Sequence, residues 1–242
     1  IGVLGNDTNG DYILKILSDN KLNTSLVRRV DAPTGFTDVI NEASGRRTFF
    51  YNQGANDFLN EEDFVTLDSS NTELVHIGYL LLLGELDKED DKYGTKMAKL
   101  LSSLQKRGIK TSIDVVSEDS ERFSKIVIPS LKYCNYVIIN EFEAGKVVGI
   151  NPRNADNSIS LDNVKKILIK LKNFGVKNKA IIHCPELGAM IDENNKITIV
   201  TSLILPDGYI KGSVGAGDAF AAGCLYGVLH NYTNEEILRL AS

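Results

Sequence analysis

The sequence is poor in the features that mark several large classes of protein. It holds three cysteines in 242 residues, Cys134, Cys184 and Cys224, far apart and in apolar surroundings. With an odd count and no CxxC pair, neither a disulfide framework nor a structural zinc site is indicated. Buried free thiols in a reducing compartment are the expected state. No run of about 18 apolar residues occurs, so no membrane-spanning helix is expected. The opening stretch, Ile1 to Gly10, has no basic segment leading into an apolar one, so no signal peptide is visible in it. Excess charge is scarce too: 27 Lys and Arg against 32 Asp and Glu leave a formal charge of −5. That balance disfavours broad electrostatic binding to nucleic acid or anionic membrane. Internal repeats and low-complexity tracts are absent.

What is present is ordinary globular composition, 43% hydrophobic and 24% charged, in a length that suits one domain. Strand and helix patterns alternate. Ile1–Leu4, Leu74–Leu83, Thr111–Val116, Tyr136–Ile139 and Lys179–Cys184 read as strands, Leu74–Leu83 as one buried on both faces. Asp11–Leu17, Thr95–Lys106, Val164–Phe174 and Ala219–Leu229 carry apolar residues at helical spacing. This order predicts an α/β fold with a parallel sheet covered on both faces. From Ser25 to Asn56 no helix pattern occurs. Thr37, Val39 and Asn41 alternate with their neighbours, Thr48–Asn52 is aromatic and extended, and Ala43-Ser44-Gly45 suits a hairpin turn. The reading is a β excursion whose aromatics Phe36, Phe49, Phe50 and Tyr51 either cover a cleft or form a minor core.

Two local patterns carry chemistry. The first is Gly212-Ser213-Val214-Gly215-Ala216-Gly217-Asp218-Ala219-Phe220, leading straight into a helix. Small residues let backbone N–H groups converge on an anion, and a helix N-terminus adds unpaired donors and partial positive charge. Asp218 at the end of the turn can accept a proton from a hydroxyl attacking phosphorus. Neither the dinucleotide G-x-G-x-x-G context nor a P-loop G-x-x-x-x-G-K-[ST] is present. A plain tight turn with Asp218 as a helix-end charge fits equally. The next helix repeats small residues at Ala219, Gly223 and Gly227, a face suited to close packing or to a flat ligand. The second pattern is Asn140-Glu141-Phe142-Glu143 just past a buried strand. Asn140 can donate to a phosphate oxygen and Glu143 can hold Mg²⁺-bound water, and helix capping would produce the same residues.

Gly215-Ala216-Gly217-Asp218-Ala219-Phe220 with the upstream Asn140-x-x-Glu143, the β excursion and Gly54-Ala55-Asn56 resemble the ribokinase-like (PfkB) family of carbohydrate kinases. The resemblance covers nearly the whole chain. It implies a three-layer α/β/α Rossmann-like ribokinase fold with a small β lid, the core at residues 1–24 and 57–242 and the lid excursion at 25–56. It implies ATP-dependent, Mg²⁺-assisted transfer of a phosphoryl group to a sugar hydroxyl in the cytoplasm, a small-molecule substrate, and a homodimer paired through the lid. A nucleoside kinase or a catalytically silent sugar-binding protein on the same scaffold are the alternatives. Carried over by the resemblance, Asp218 is the general base and Gly215, Ala216 and Gly217 form the anion hole. Asn140, Gly188 and Gly217 lie at ATP, and Glu143 serves the metal. Thr34, Tyr79, Glu85 and Asp114 are on the substrate side.

Three departures stand out. The family's Asp-Thr-Thr before the loop is Gly212-Ser213-Val214 here, which questions activation by a monovalent cation. The T-x-G-x-x-G nucleotide strand is His183-Cys184-Pro185-Glu186-Leu187-Gly188, and Pro185 has no N–H to give a phosphate. His183 there reads as a packed strand-end histidine. Ile1 to Asp7 matches a segment that in the family follows the first sugar-binding strand and its Gly-Gly motif. The chain as given is therefore expected to be incomplete at both ends.

Overall fold

Asp7 organises the start of the chain by capping a helix, its carboxylate accepting the Gly10 N–H at 2.8 Å. Strand β1 (Gly2–Gly5) precedes it and helix α1 (Thr8–Asp19) follows. Strand β2 (Val27–Val30) returns parallel to β1, with Gly2 opposite Val27. The computed structural model describes residues 1–41, 47–118, 120–206, 208–210, 212 and 214–242. Strands β3 (Phe36–Asn41) and β4 (Arg47–Asn52) pair antiparallel, Phe36 opposite Asn52. The expected turn at Ala43-Ser44-Gly45 lies outside the described residues. Two short 3-10 turns, Gly54–Phe58 and Glu61–Phe64, lead to β5 (Leu74–Leu80).

The rest of the chain builds the main layers. A short antiparallel pair, β6 (Glu89–Asp90) and β7 (Gly94–Thr95), precedes α2 (Lys96–Lys106) and β8 (Lys110–Val115). Helix α3 (Arg122–Leu131), β9 (Tyr136–Asn140), α4 (Glu141–Val148), α5 (Leu161–Asn173) and β10 (Lys179–Cys184) follow. Then come β11 (Leu187–Ile191), β12 (Ile197–Thr201), α6 (Ala216–Leu229) and α7 (Asn234–Ala241). The six-stranded sheet runs β12-β11-β10-β9-β8-β5. Strands β5, β8, β9 and β10 are parallel, and β11 and β12 are added antiparallel. One face packs the larger core with α2 to α5 through residues such as Leu101, Val127, Val147 and Ile167. The other packs a smaller core, in which Ile138, Ile181 and Met190 meet Phe220, Cys224 and Leu238 of α6 and α7. The three-layer α/β/α arrangement is present. All three cysteines are buried and unpaired, and burial pushes their thiols up, Cys184 to about 11.

The structure corrects several sequence expectations. Strand β5 stops at Leu80 and is buried on one face only, with His76, Gly78 and Tyr79 exposed. It is the edge of the six-stranded sheet, and the helices on that side lie over β9, β11 and β12. Within the stretch read as the β excursion, Val27–Val30 pairs with β1. Helix α6 starts at Ala216, three residues before the expected Ala219, so Asp218 sits inside its first turn. Helices α3 and α7 and strands β11 and β12 were not foreseen. Pro129 inside α3 reads in sequence as a helix breaker.

Candidate active site

The site is assembled at the carboxyl ends of β5, β8 and β9, where α6 begins. Gly215 adopts φ +81° as the N-cap of α6, a left-handed conformation that favours glycine. No side chain among the described residues caps this end. The first-turn amides of Ala216, Gly217 and Asp218 lack intrahelical acceptors, so they and the helix dipole face whatever anion lies before them. Ser213 lies outside the described residues. Gly217 rests against His183, whose Cε1 would be 3.5 Å from an added Cβ. The His183 ring packs on Phe220 at 4.8 Å, and burial holds it down to about 4, so it is neutral near pH 7. It is a packed histidine, as the sequence suggested.

Asp218 meets Tyr79 across 139 residues of sequence, the phenol donating to Oδ1. Burial is the main reason that the phenol proton is held far more tightly than usual, and the bond to Asp218 adds to it. His76, three residues earlier on β5, contacts Ser112 Oγ through Nδ1 at 3.0 Å. Burial lowers its proton affinity, while the charge of Asp218 pulls the other way. Asp114, near the end of β8, is 8% exposed and accepts only the adjacent Val115 N–H at 2.7 Å among the described residues. Burial first, then the charges of Glu143 and Asp218, push its carboxyl up to about 8.

Asn140 and Glu143 form a capping box at the start of α4. Asn140 Oδ1 accepts the Glu143 N–H at 2.8 Å, and Glu143 Oε2 accepts the Asn140 N–H at 3.0 Å. Ser117 Oγ donates to Glu143 Oε1 at 2.7 Å and accepts from Asn140 Nδ2 at 3.1 Å. Burial pushes Glu143 up to about 7 against these bonds. The two residues thus cap α4 at the end of β9. The donors there are the hard oxygens of Glu143 and Ser117, and the raised proton affinity of Glu143 is what a nearby cation would relieve. No cluster of three or more metal-ligating side chains exists among the described residues. That donor set fits Mg²⁺, which keeps waters and is held largely through substrate phosphates.

The remaining predicted residues separate. Thr34 is 2% exposed. Its hydroxyl donates to Asp7 at 2.6 Å and accepts from Gly5 N at 3.0 Å, so it clamps β1 to the α1 cap. Glu85 lies beyond β5, paired with Lys88 and Lys96, in a groove with Arg28, Asp57 and Asn60 that includes neither Tyr79 nor Asp218. Gly188 is buried in β11, where a Cβ would lie 3.1 Å from Leu238 and 3.3 Å from Phe220, so it serves packing of α6 and α7. Gly223 and Gly227 also serve packing, with a Cβ reaching within 2.8 Å of Ala241 Cα and 2.9 Å of Ile237. Sequence reasoning missed Ser117, His76 and Arg153. Arg153 bridges Glu141 at 2.6 Å and Glu186 at 2.7 Å beside the β9 and β10 ends. Nothing local in sequence marks these three, because their partners are distant in the chain.

Comparison with known proteins places this geometry. The family model described as pfkB family carbohydrate kinase matches residues 1–242. A ribokinase of Arabidopsis thaliana is 23% identical over 250 residues, and the chain spans 59% of that protein's length. The solved structure of Arabidopsis thaliana ribokinase with ribose and ATP superposes at TM-score 0.74 and 20% identity, covering 100% of this chain and 72% of that one. A Burkholderia thailandensis nucleoside kinase in complex with inosine superposes at TM-score 0.68 and 18% identity, covering 100% and 71%. With the family model matched end to end and the ribokinase fold shared, the chain belongs to the pfkB family of carbohydrate kinases.

Proposed function

We propose that the protein is an ATP-dependent sugar kinase, a phosphotransferase with an alcohol group as acceptor, acting in the cytoplasm. The observation that carries this reading is Asp218 in the first turn of an uncapped helix N-terminus, beside the buried acids Asp114 and Glu143. The acceptor is a primary or anomeric hydroxyl of a sugar. Asp218 takes the hydroxyl proton as the oxygen attacks the γ-phosphorus, and the bond from that phosphorus to the ADP oxygen breaks in line. The amides of Ala216, Gly217 and Asp218 stabilise charge on the transferring group. Gly215 supplies the turn that lets them converge. Asn140, Glu143 and Ser117 would hold the metal-bound waters, and Mg²⁺ when bound supplies neutralisation of the phosphate charge. The β3–β4 hairpin is the lid: the Tyr51 hydroxyl reaches Leu82 O on the body, and Phe36, Ile40 and Phe50 are exposed. Excluding water from the reacting groups is its role. The apolar hairpin also offers the edge for a homodimer.

A nucleoside as acceptor is the second reading. It is favoured by the Tyr79 ring, 38% exposed beside Asp218 and available to stack on a base. A coupled assay of the full-length protein with ATP and Mg²⁺ against D-ribose, D-fructose and adenosine separates the two. Turnover of adenosine alone selects the nucleoside kinase, and sugar binding without ATP turnover marks a silent binding protein. Asp218→Ala is expected to lower kcat about a thousandfold or more, with ATP binding little changed. Near-normal turnover in that variant overturns the assignment of the base.

A further inference from the structure

A carboxylate in the first turn of an exposed helix N-terminus has several ways to turn. It can rotate toward solvent, fold back onto the amides of its own turn, or swing toward the substrate. Asp218 is exposed at the residue level, and no capping bond from its side chain to the helix amides is present among the described residues. Its hydrogen-bond partner among the described residues is the Tyr79 hydroxyl, on Oδ1. Tyr79 belongs to the sheet and is the next-to-last residue of β5, between buried Ile77 and Leu80. The exposed carboxylate is thus tied to the sheet.

The groups facing this pair leave the phenol as its donor. Strand β5 contributes His76, whose proton affinity burial lowers. Strand β8 contributes Asp114 and α4 contributes Glu143, whose charge, when either is ionised, repels a second anion. Strand β10 contributes His183 beneath Gly217, also held neutral by burial. No described lysine or arginine pairs with Asp218. The same surroundings keep the phenol protonated, so Tyr79 donates and does not compete as a base.

We propose that Tyr79 is a positioning residue for the proton-accepting carboxylate: its hydroxyl fixes Oδ1 of Asp218 and leaves Oδ2 directed to the acceptor hydroxyl. The inference rests on reading Asp218 as the base. Tyr79 moves no proton in the reaction. It sets where the carboxylate points. A purely structural tyrosine on this edge would not do so.

The test uses the full-length protein with ATP and the acceptor turned over fastest in the ribose, fructose and adenosine series. Tyr79→Phe removes only the hydroxyl of a part-exposed residue, and Asp218→Asn is the control. The expected result is a kcat for Tyr79→Phe about tenfold lower near pH 7, with the KM for ATP and for the acceptor within about twofold of wild type and the thermal midpoint unchanged. A kcat within about twofold of wild type, with Asp218→Asn inactive, overturns the positioning role. Substantial turnover by Asp218→Asn overturns the base assignment itself, a separate failure and a distinguishable one.

Discussion

A carboxylic acid buried beside other carboxylates makes folding stability depend on pH. Asp114 carries a pKa of about 8 in the fold against 3.8 for a free side chain. Below the lower value both states hold the proton. As pH rises through the window up to about 8, the unfolded chain releases its proton and the folded chain retains it, so stability falls. Glu143, raised to about 7, acts in the same direction. His183, lowered to about 4, opposes them, since stability gained by its neutral form is lost as pH falls through its range. Above pH 6.5 or so the acids act alone. Asp114→Asn is therefore expected to flatten the decline of Tm between about pH 6.5 and pH 8 in thermal melts of the metal-free protein. An unchanged decline would mean that Asp114 is not the group responsible. Asp114 is also where sequence reading stopped short: its position near a strand end was legible, but the burial and the two neighbouring charges were not.

At the scale of elements, α6 is the piece whose sequence signals had two meanings. The small residues at Gly223 and Gly227 proved to be the seat of α7, with backbone and side-chain atoms closer than a Cβ tolerates. Gly223→Val is expected to cost about 2 kcal/mol or more, read as a lower denaturant midpoint, because the obstacle is the Ala241 backbone rather than a flexible side chain. The N-terminal half of the same helix carries the candidate chemistry. Its start at Ala216 was not predicted, because Gly215-Ala216-Gly217 reads as a loop when only propensity is considered. Tertiary placement against His183 and the sheet extends the helix back to include Asp218. In α4, Asn140-x-x-Glu143 was open between capping and site duty, and the fold uses both residues to cap the helix at the end of β9.

For the whole molecule, the hairpin is the element least absorbed by the two cores. Directly opposed residues share a face, so Phe36, Ile40 and Phe50 lie together on the side away from Tyr51. All three are exposed, at 44%, 55% and 57%. If this face is the dimer contact proposed above, the double variant Ile40→Asp with Phe50→Asp is expected to shift the full-length protein from dimer to monomer in sedimentation, without loss of helical signal. A wild-type monomer at micromolar concentration would end that proposal.

Sequence alone determined the layer order, the main helices, the parallel strands and the two local motifs. Periodicity, glycine turns and strand-end residues are written in short windows, and windows are what sequence patterns report. Only the tertiary structure decided which strand faces stay open, that Val27–Val30 pairs with β1, and that α7 claims Gly223 and Gly227. It also decided that Thr34 is a clamp, that Glu85 stands in another groove, and that Tyr79 reaches Asp218. Each of these joins residues far apart in the chain. Such contacts are set by sheet order and burial, which no local pattern specifies.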